Sequence, residues 1–525
     1  MTELLTAAQM RAVEAAAIAS GEVTGLDLME RAGRGVVEAV FDEWPELRAG
    51  SFRAVVLCGP GGNGGDGFVV ARVLKEWGWE VEVFLYGEPE RMPPDARVNY
   101  ERWVGMGEVK ILPPNFEASV TSPDVVVDAL FGTGLSRPVS GLGLTFLDMG
   151  EERRSLWPGT QSGTAYVAID VPSGICADSG RPLKDTNFKG IPFRAEAAAA
   201  SVDLTVTFHS LKVGHVLDEG PHRCGRIRVC DIGLEYSGDS VQLIGPIVPY
   251  NVTKSIGHKF SHGHALILCG PPGHGGAARM TARGALRIGA GLVTLGVLPE
   301  ALAENAARLD AVMLKQVPNA AALAEVLKDD RITALCLGPG MGISDETRSL
   351  LATALKSARP TFLDADALTL IARDATLFAS LHDRCILTPH AGEFARLFPD
   401  IAAKLGAPAT TGPAYSKVDA TREAAKRAGC VVLFKGADTV IASPDGTCAI
   451  NAAAYDRAAP WLATAGSGDV LAGFITGLLA RRFAPQQAAE TGAWLHVECA
   501  RSFGPGLIAE DLAEELPKVF RALGV

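Results

Sequence analysis

The sequence has few of the features that mark a membrane, nucleic-acid-binding or disulfide-rich protein. Its longest apolar runs, such as 54–57, are strand-length and far short of the ~20 residues that a spanning helix needs. Lys and Arg number 49 against 60 Asp and Glu, so the net charge is −11 and no basic stripe favours nucleic acid. The ten cysteines never occur as CxxC, so we expect reduced thiols rather than zinc sites or disulfides. Residues 1–5 lack a secretory signal, and a cytoplasmic location without membrane contact is predicted.

What the sequence does contain is a repeated α/β pattern. With 525 residues, 48% of them hydrophobic and 21% charged, the chain is globular in composition and too long for one core. Strand, Gly-rich turn and helix alternate from residue 53 onwards, which is typical of βαβ units. Gly and Pro cluster near 233–258, and the same pattern restarts at 264. We therefore predict an α/β protein of two domains, each a three-layer α/β/α sandwich, at 1–235 and 255–525 with a linker at 236–254.

The apolar periodicity gives the individual elements. Leu4, Met10, Val13 and Ile18 recur at near-helical spacing, so the N-terminal segment is predicted to be helical, with a second helix over 26–40. Stretches 141–163 and 181–195 lack periodicity and are predicted surface loops. Helices are also predicted at 68–77 and 277–289. The predicted strands are 53–58, 81–85, 123–130, 165–171, 203–208, 226–230, 264–269, 292–297, 334–337, 361–363, 385–387, 431–434 and 439–442.

Three predicted strands of the first half end in polar, Gly-rich segments, at 59–67, 128–138 and 170–174. Parallel sheets bind ligands at the carboxyl ends of their strands, and glycines let the backbone approach phosphates. Each segment alone is a common packing solution, and Asp128 or Asp170 singly could be a helix cap. The three in succession, each with an acid, favour a nucleotide-sized site.

Together these three motifs resemble the NAD(P)H-hydrate epimerase domain, which has a Rossmann-like fold. The resemblance implies that the loops bind the hydrated dinucleotide and that Asp170 handles protons. It also implies a potassium ion held by Asn63, Asp128 and Ser173, whose oxygens suit a hard cation. Relatives usually have two consecutive asparagines where this chain begins with Gly62. The implied substrate-binding residues are Gly62, Asn63, Gly64, Gly65, Asp66, Gly132, Thr133, Gly134, Leu135, Ser136, Arg137, Pro138 and Asp170.

The second half contains a Gly-rich turn, 464–468, followed by Asp469 at the start of an apolar helix. Helix-start amides can stabilise charge on a transferred phosphoryl group, and a carboxylate there can take a hydroxyl proton. The alternative is that Asp469 is only a stabilising first-turn acid. Polar strand ends at 338–342, 363–368, 388–393 and 435–439 accompany the turn and favour a functional site.

This set resembles the ADP-dependent NAD(P)H-hydrate dehydratase of the ribokinase-like superfamily, over roughly 255–515. The resemblance implies that loop 435–439 cradles the ADP phosphates, that magnesium bridges them, and that Asp469 is the acid/base. Asp438 departs from relatives, which often have a small residue there. The implied nucleotide-binding residues are Lys435, Gly436, Ala437, Asp438, Thr439 and Gly468. The implied substrate-binding residues are Ala277, Gly340, Gly342, His390 and Asp469.

The two resemblances imply a bifunctional enzyme that epimerises R and S NAD(P)H-hydrate and dehydrates the S form, converting ADP to AMP and phosphate. Its partners would be hydrated NADH or NADPH and ADP, and we expect a homo-oligomer. One alternative is a ribokinase-type small-molecule kinase with an accessory N-terminal binding domain. Another is that the N-terminal domain serves only as a binding or scaffolding module, against which Asp170, Asp128 and Asn63 argue.

Overall fold

The computed structural model describes residues 2–112, 123–139, 164–186, 199–254 and 256–525. The chain forms two compact units. The N-terminal unit comprises Glu3–Val241 and Ala407–Ser416, and the C-terminal unit comprises Gln242–Gly406 and Lys417–Val525 together with Thr2. The change of unit therefore falls inside the predicted linker, whereas 407–416, expected in the second domain, belongs to the N-terminal unit. The predicted loop 141–163 lies outside the described residues, as does 187–195 of the second predicted loop.

The N-terminal unit is built on a parallel sheet whose strands follow the order β4-β3-β2-β5-β6-β7-β9. This is the doubly wound order of Rossmann-like folds, and the direction of winding reverses between β2 and β5. β1 and β8 also pair in parallel. The strands are β1 Thr2–Leu5, β2 Arg53–Cys58, β3 Glu80–Leu85, β4 Val109–Ile111, β5 Val125–Ala129, β6 Ala165–Ile169, β7 Leu204–Phe208, β8 Leu211–Lys212 and β9 Arg226–Cys230.

Alternating side chains of this sheet divide between two hydrophobic clusters. On β2, Val56 belongs to the first cluster, which also contains helix residues. Val55 and Leu57 belong to the second cluster, because successive side chains of a strand point to opposite faces of the sheet. That second cluster includes Ala409 and Ala414 from the later segment of the unit. The described helices of the unit are Ala7–Ser20, Gly25–Glu43, Gly62–Glu76, Pro94–Val104 and Gly220–Arg223.

Two predicted boundaries in this unit are wrong. Leu4 lies in strand β1 rather than in a helix, because Thr6 and Gln9 form a capping box that starts the first helix at Ala7. The helix predicted from 68 begins at Gly62, inside the predicted loop. Glycine disfavours helix, but backbone packing overrides this here, since a Cβ on Gly64 would stand 1.9 Å from the Gly59 carbonyl oxygen.

The C-terminal unit repeats the same order, β13-β12-β11-β14-β15-β16-β17-β18-β19-β10, and reverses its winding between β11 and β14. Its sheet is parallel except that β18 runs antiparallel to both neighbours. The predicted α/β class with parallel sheets in both halves is confirmed. The strands are β10 Val241–Leu243, β11 His264–Leu268, β12 Leu292–Val297, β13 Met313–Gln316, β14 Ala334–Leu337, β15 Thr361–Leu363, β16 Cys385–Leu387, β17 Val431–Phe434, β18 Asp438–Ala442 and β19 Cys448–Ala452.

The helix Ser467–Ala480 is apolar almost all round because it is buried. Phe474 and Leu478 are fully buried, and a Cβ on Gly473 would stand 2.3 Å from the Thr281 carbonyl oxygen. Within the described ranges, no helix combines the length and apolar character that crossing a bilayer requires. The helices of the unit are Pro249–Val252, Gly276–Arg287, Leu302–Ala306, Ala320–Val326, Asp345–Lys356, Asp366–Arg373, Ala375–Ala379, Ala391–Leu397, Pro399–Gly406, Lys417–Ala428, Ser467–Ala480, Pro485–Phe503 and Ala509–Leu523.

Candidate functional sites

Each unit brings two Gly-rich loops into backbone contact at the point where its winding reverses. A Cβ on Gly59, after β2, would stand 1.8 Å from the carbonyl oxygen of Leu130, after β5. A Cβ on Gly270, after β11, would stand 1.8 Å from the carbonyl oxygen of Gly340, after β14. Glycine is thus required at both points, and both lie where doubly wound sheets bind ligands.

Asp170 follows β6 and has a left-handed backbone conformation (φ 67°), which residues other than glycine seldom adopt. Its Oδ1 accepts a hydrogen bond from Thr207 Oγ1 at 2.9 Å and lies 3.1 Å from Lys212 Nζ. Its Oδ2 accepts from the Thr133 N–H at 3.2 Å. Burial raises the pKa of Asp170, but Lys212 and the Thr207 hydrogen bond outweigh burial and hold the pKa below its usual range. A strained, buried, ionised carboxylate is typical of a functional site.

Lys212 and His215 fix the charge and position of Asp170. Lys212 is fully buried, and its Nζ donates to Thr207 Oγ1 at 2.8 Å and to two main-chain carbonyls. His215 Nδ1 accepts from the Lys212 N–H at 3.0 Å, which leaves Nε2 to donate to the Asp170 carbonyl oxygen at 2.9 Å. Burial, together with Lys212, lowers the pKa of His215 to about 4, so its imidazole is neutral at pH 7.

The predicted loops 62–66 and 132–138 meet beside this carboxylate. A Cβ on Gly132 would stand 2.7 Å from Asn63 Oδ1 and 3.2 Å from Asp170 Oδ2, so a larger residue there would displace the Asn63 side chain. Asn63 Nδ2 is buried and has no hydrogen-bond partner among the described residues. Buried donors are nearly always paired, so this amide is available to a ligand.

Two further acids stand near Asp170. Burial raises the pKa of Asp66 well above its usual range, and the charges of Asp170 and Glu14 raise it further. Burial, again helped by Asp170, also raises the pKa of Glu14. The N-terminal site therefore combines one carboxyl whose pKa is lowered, Asp170, with two whose pKa values are raised.

Asp128 and Ser173, two of the three predicted potassium ligands, are in direct contact. Ser173 donates to Asp128 through its hydroxyl at 2.6 Å and through its main-chain N–H at 2.8 Å. Leu130 N–H donates a third hydrogen bond at 3.2 Å. Burial raises the pKa of Asp128 although these hydrogen bonds lower it, and none of the described residues forms a salt bridge with it. The site thus offers a buried carboxylate without a cationic side chain.

The other predicted substrate-binding residues of the N-terminal site differ in their exposure. Gly62 is exposed, and open space surrounds the position that its Cβ would take. Leu135 is buried, whereas Gly134, Ser136 and Arg137 are exposed. Loop 132–138 therefore brings its first residues to Asp170 and turns its later ones outwards.

In the C-terminal unit, Asp469 lies in the first turn of the helix Ser467–Ala480. Its main-chain carbonyl accepts from Thr281 Oγ1 at 2.9 Å. Burial and the charge of Asp364, opposed by Lys435, raise the pKa of the Asp469 carboxyl to about 6. A carboxyl that titrates near neutral pH suits a group that takes up and releases a proton.

Asp364 joins the predicted phosphate loop to this helix start. Lys435 Nζ lies 2.8 Å from Asp364 Oδ1 and 3.7 Å from Glu393 Oε2. A Cβ on Gly468 would stand 4.0 Å from Asp364 Oδ2. Within the loop, Gly436 N–H is bound to the Thr439 hydroxyl at 3.2 Å. Motifs far apart in sequence thus form one polar cluster.

The remaining predicted residues lie at neighbouring turns. Ala277 Cβ is 3.5 Å from the position that a Cβ on Gly340 would take. Gly342 N–H donates to Asp366 Oδ2 at 2.8 Å. His390 caps the helix that follows it, its Nδ1 accepting a main-chain N–H at 3.0 Å. His390 is therefore held by a structural hydrogen bond, whatever else it contacts.

Sequence reasoning missed the residues that support both sites. Asp364 and Glu393 lie in motifs already noted, and their positions after strands were a usable signal. Glu14 stands in a helix that was read only for its apolar face. Lys417, which lies beside Lys435, precedes the loop in sequence and follows no recognisable motif.

Comparison with known proteins divides the chain in the same way. Residues 25–214 match the family described as YjeF-related protein N-terminus, and 265–518 match the family described as NAD(P)H-hydrate dehydratase. A bifunctional NAD(P)H-hydrate repair enzyme of Moorella thermoacetica is 33% identical over 99% of this chain and 97% of its own. An NAD(P)H-hydrate epimerase of Rhodobacter capsulatus is 47% identical over 41% of this chain and 92% of its own. The Bacillus subtilis ADP/ATP-dependent NAD(P)H-hydrate dehydratase, co-crystallised with ATP and Mg²⁺, is 27% identical over 52% of this chain and 93% of that one, with a TM-score of 0.44.

Proposed function

The chain belongs to the family of bifunctional NAD(P)H-hydrate repair enzymes, and on that premise we propose which of its residues perform each reaction. Its N-terminal half is the epimerase and its C-terminal half the dehydratase, as the sequence motifs predicted. The similarity over nearly the whole chain favours repair over the alternative of a small-molecule kinase with an accessory domain. The observation that supports the residue assignment is the contrast between ionised Asp170 and Asp469, whose pKa is about 6.

Hydrated NADH or NADPH has a hydroxyl on C6 of the nicotinamide ring, and the epimerase must invert that carbon. Asp170, held ionised by Lys212, takes the proton of the C6 hydroxyl. The C6–N1 bond then breaks, its electron pair going to nitrogen, as the C6 oxygen becomes an aldehyde. The nitrogen attacks the other face of this aldehyde, and Asp170 returns the proton to the oxygen, which gives the opposite epimer. The nitrogen can instead assist loss of the hydroxyl itself, with water returning to the other face.

We assign substrate binding in this reaction to loops 62–66 and 132–138. The unpartnered Asn63 amide and the Thr133 N–H beside Asp170 Oδ2 support this assignment. Potassium would be held by Asn63, Asp128 and Ser173, where it would supply a positive charge next to the buried Asp128 carboxylate. The donor set fits such an ion, since Asp128 forms no salt bridge with the described residues.

In the dehydratase, Asp469 takes the proton of the same hydroxyl in the S epimer. The hydroxyl oxygen then attacks the β-phosphorus of ADP, and AMP leaves. Loss of phosphate from C6 and of a proton from C5 restores the double bond. Hydroxide is a poor leaving group and phosphate a good one, which explains why a nucleotide is consumed.

We assign the ADP phosphates to loop 435–439, with Gly468 beside the AMP portion and Ala277, Gly340, Gly342 and His390 toward the coenzyme. Magnesium would neutralise the phosphates, and Asp364 Oδ2, the oxygen not bound by Lys435, fits as its ligand.

A cytoplasmic location is proposed because all ten cysteines are free. A homo-oligomer without nucleic-acid or membrane partners stays a prediction.

The test supplies purified protein with a mixture of R and S hydrates, ADP, Mg²⁺ and K⁺, and follows the absorbance of the reduced ring. Wild-type protein should restore both epimers. Asp170→Asn should restore only the S fraction, and Asp469→Asn neither, while epimer exchange by Asp469→Asn should persist. Return of the R fraction at the wild-type rate in Asp170→Asn, or turnover of ADP by Asp469→Asn, would contradict the assignment.

A further inference from the structure

The N-terminal unit consists of one continuous segment, Glu3–Val241, and of residues 407–416, which we call the strap. Among the described residues of the second half of the chain, only the strap belongs to this unit. In sequence the strap follows the helix Pro399–Gly406 and precedes the helix Lys417–Ala428, both in the C-terminal unit. The strap has no helix or strand of its own. Its place in the N-terminal unit therefore depends on contacts with other segments of that unit.

The strap is packed directly against the epimerase loop 132–138. Gly412 N–H donates to the Ser136 carbonyl oxygen at 3.0 Å. A Cβ on Gly412 would stand 2.4 Å from the Leu135 carbonyl oxygen, a distance that real Cβ atoms do not reach. Leu135 in turn donates its N–H to the Gly132 carbonyl oxygen at 3.1 Å, and the next residue, Thr133, donates its N–H to Asp170 Oδ2 at 3.2 Å. Three hydrogen bonds along loop 132–138 thus connect the strap to the catalytic carboxylate.

Both ends of the strap are also fastened. The Ala409 carbonyl accepts from the Lys184 N–H at 2.7 Å, and the Tyr415 carbonyl accepts from Arg181 Nη1 at 3.2 Å. Ala409 and Ala414 are buried in the same hydrophobic cluster as Leu135. Apolar burial and backbone pairing together hold the strap in one position along loop 132–138.

We propose that the strap is a positioning element of the epimerase site, so that the substrate loop of the first reaction is supported by a segment encoded in the second half. This inference rests on the proposed role of loop 132–138 in binding hydrated coenzyme. Asp170 is fixed independently by Lys212 and His215, so loosening the strap displaces the binding loop more than the catalytic carboxylate. The effect should therefore appear in KM for the hydrated coenzyme rather than in kcat.

The experiment uses the full-length chain with Gly412→Ala, which forces a methyl group against the Leu135 carbonyl. Gly406→Ala is the matched control, because a Cβ there meets open space within 4 Å. Arg181→Met releases the strap end without introducing a clash. We expect KM for epimerisation to rise about tenfold or more in Gly412→Ala and to rise in Arg181→Met, since small misplacements of binding groups are costly. Epimerisation kcat and dehydration of purified S hydrate should change by less than about threefold.

Hydrogen exchange of the amides of 131–138 separates this inference from the proposed function. In Gly412→Ala these amides should exchange faster than in wild type and in Gly406→Ala. If wild-type protein epimerises nothing, the proposed function fails, and the exchange result still decides whether the strap holds the loop. Unchanged exchange and unchanged KM in folded Gly412→Ala, or an equal loss of both reactions, would overturn the positioning role.

Discussion

Lys417 and Asp438 form an ion pair at the phosphate loop of the dehydratase, with Nζ and Oδ1 2.6 Å apart. Lys417 Nζ also donates to the Lys435 carbonyl oxygen at 3.2 Å and lies 4.6 Å from the centre of the Phe434 ring. A Cβ on Gly436 would stand 2.6 Å from this ammonium group. The pair accounts for an acid in a loop that is proposed to bind phosphate, because Lys417 neutralises the carboxylate.

Lys417→Met should therefore weaken ADP binding. The substitution keeps an apolar stem over Phe434 but leaves the Asp438 charge facing the phosphates. We expect KM for ADP to rise about tenfold, corresponding to ~1.4 kcal/mol, with a smaller change in kcat. The measurement is the rate of NADH recovery from S hydrate at varied ADP concentration.

The double variant Lys417→Met/Asp438→Gly removes both charges and should recover most of the lost affinity for ADP. Lys404→Met serves as the control, because Lys404 is exposed and its ion pair with Glu423 is long at 3.4 Å. If the double variant binds ADP no better than Lys417→Met, the Asp438 charge is not the cause.

The fold was largely predictable because its signals are local. A run rich in β-branched residues such as Val125–Ala129, with a Gly-rich turn from Gly132, indicates a buried parallel strand regardless of its neighbours. Leu4 fits helical spacing equally well, and only its pairing with Leu211 makes it part of a strand. The strap shows the same limit, since ten residues without periodicity carry no sign of the unit against which they pack.

The candidate site residues were predictable where they stand at the end of a strand or at the start of a helix. Asp170 and Asp469 stand next to glycines at a strand end and a helix start, so their positions alone suggest a role. Lys212 and Lys417 act through contacts that only tertiary packing creates, the latter across 21 positions of sequence to Asp438. Reading charge along the chain could not pair these groups.

The dehydratase should depend on pH through Asp469. As the base that takes the hydroxyl proton, Asp469 is active when ionised, and its pKa is raised to about 6 by burial and Asp364. The rate should therefore be low below pH 6, rise through pH 6 and level off above pH 7. Asp364→Asn removes the like charge that raises this pKa, so the rise should move to lower pH. A profile of kcat/KM for S hydrate that is flat between pH 5 and 7 would contradict the role of Asp469.

Gly62→Asn should strengthen substrate binding in the epimerase. The position is exposed and open, so an asparagine fits there without strain. Its amide adds a donor beside Asn63, and we expect KM for epimerisation to fall about fivefold, as one hydrogen bond contributes ~1 kcal/mol. Gly62→Ala is the control, since it also replaces glycine at the helix start, with a gain in helix propensity at least as large, but adds no amide. Equal KM values for the two variants would assign any effect to the helix rather than to the amide.

Epimerisation should require potassium, whereas dehydration of S hydrate should not depend on the Asp128 site. Exchange of K⁺ for Li⁺ should lower epimer exchange about tenfold or more, because the buried Asp128 carboxylate then lacks a cation of fitting size. Burial raises the pKa of Asp128, so protons compete with the cation as pH falls, and the K⁺ concentration for half-maximal rate should rise at acid pH. Ser173→Ala should raise the K⁺ concentration for half-maximal rate at every pH. Ser201→Ala is the control, because Ser201 is also buried, and it should leave this concentration unchanged. Epimer exchange at the full rate in Li⁺ would remove the ion from the mechanism.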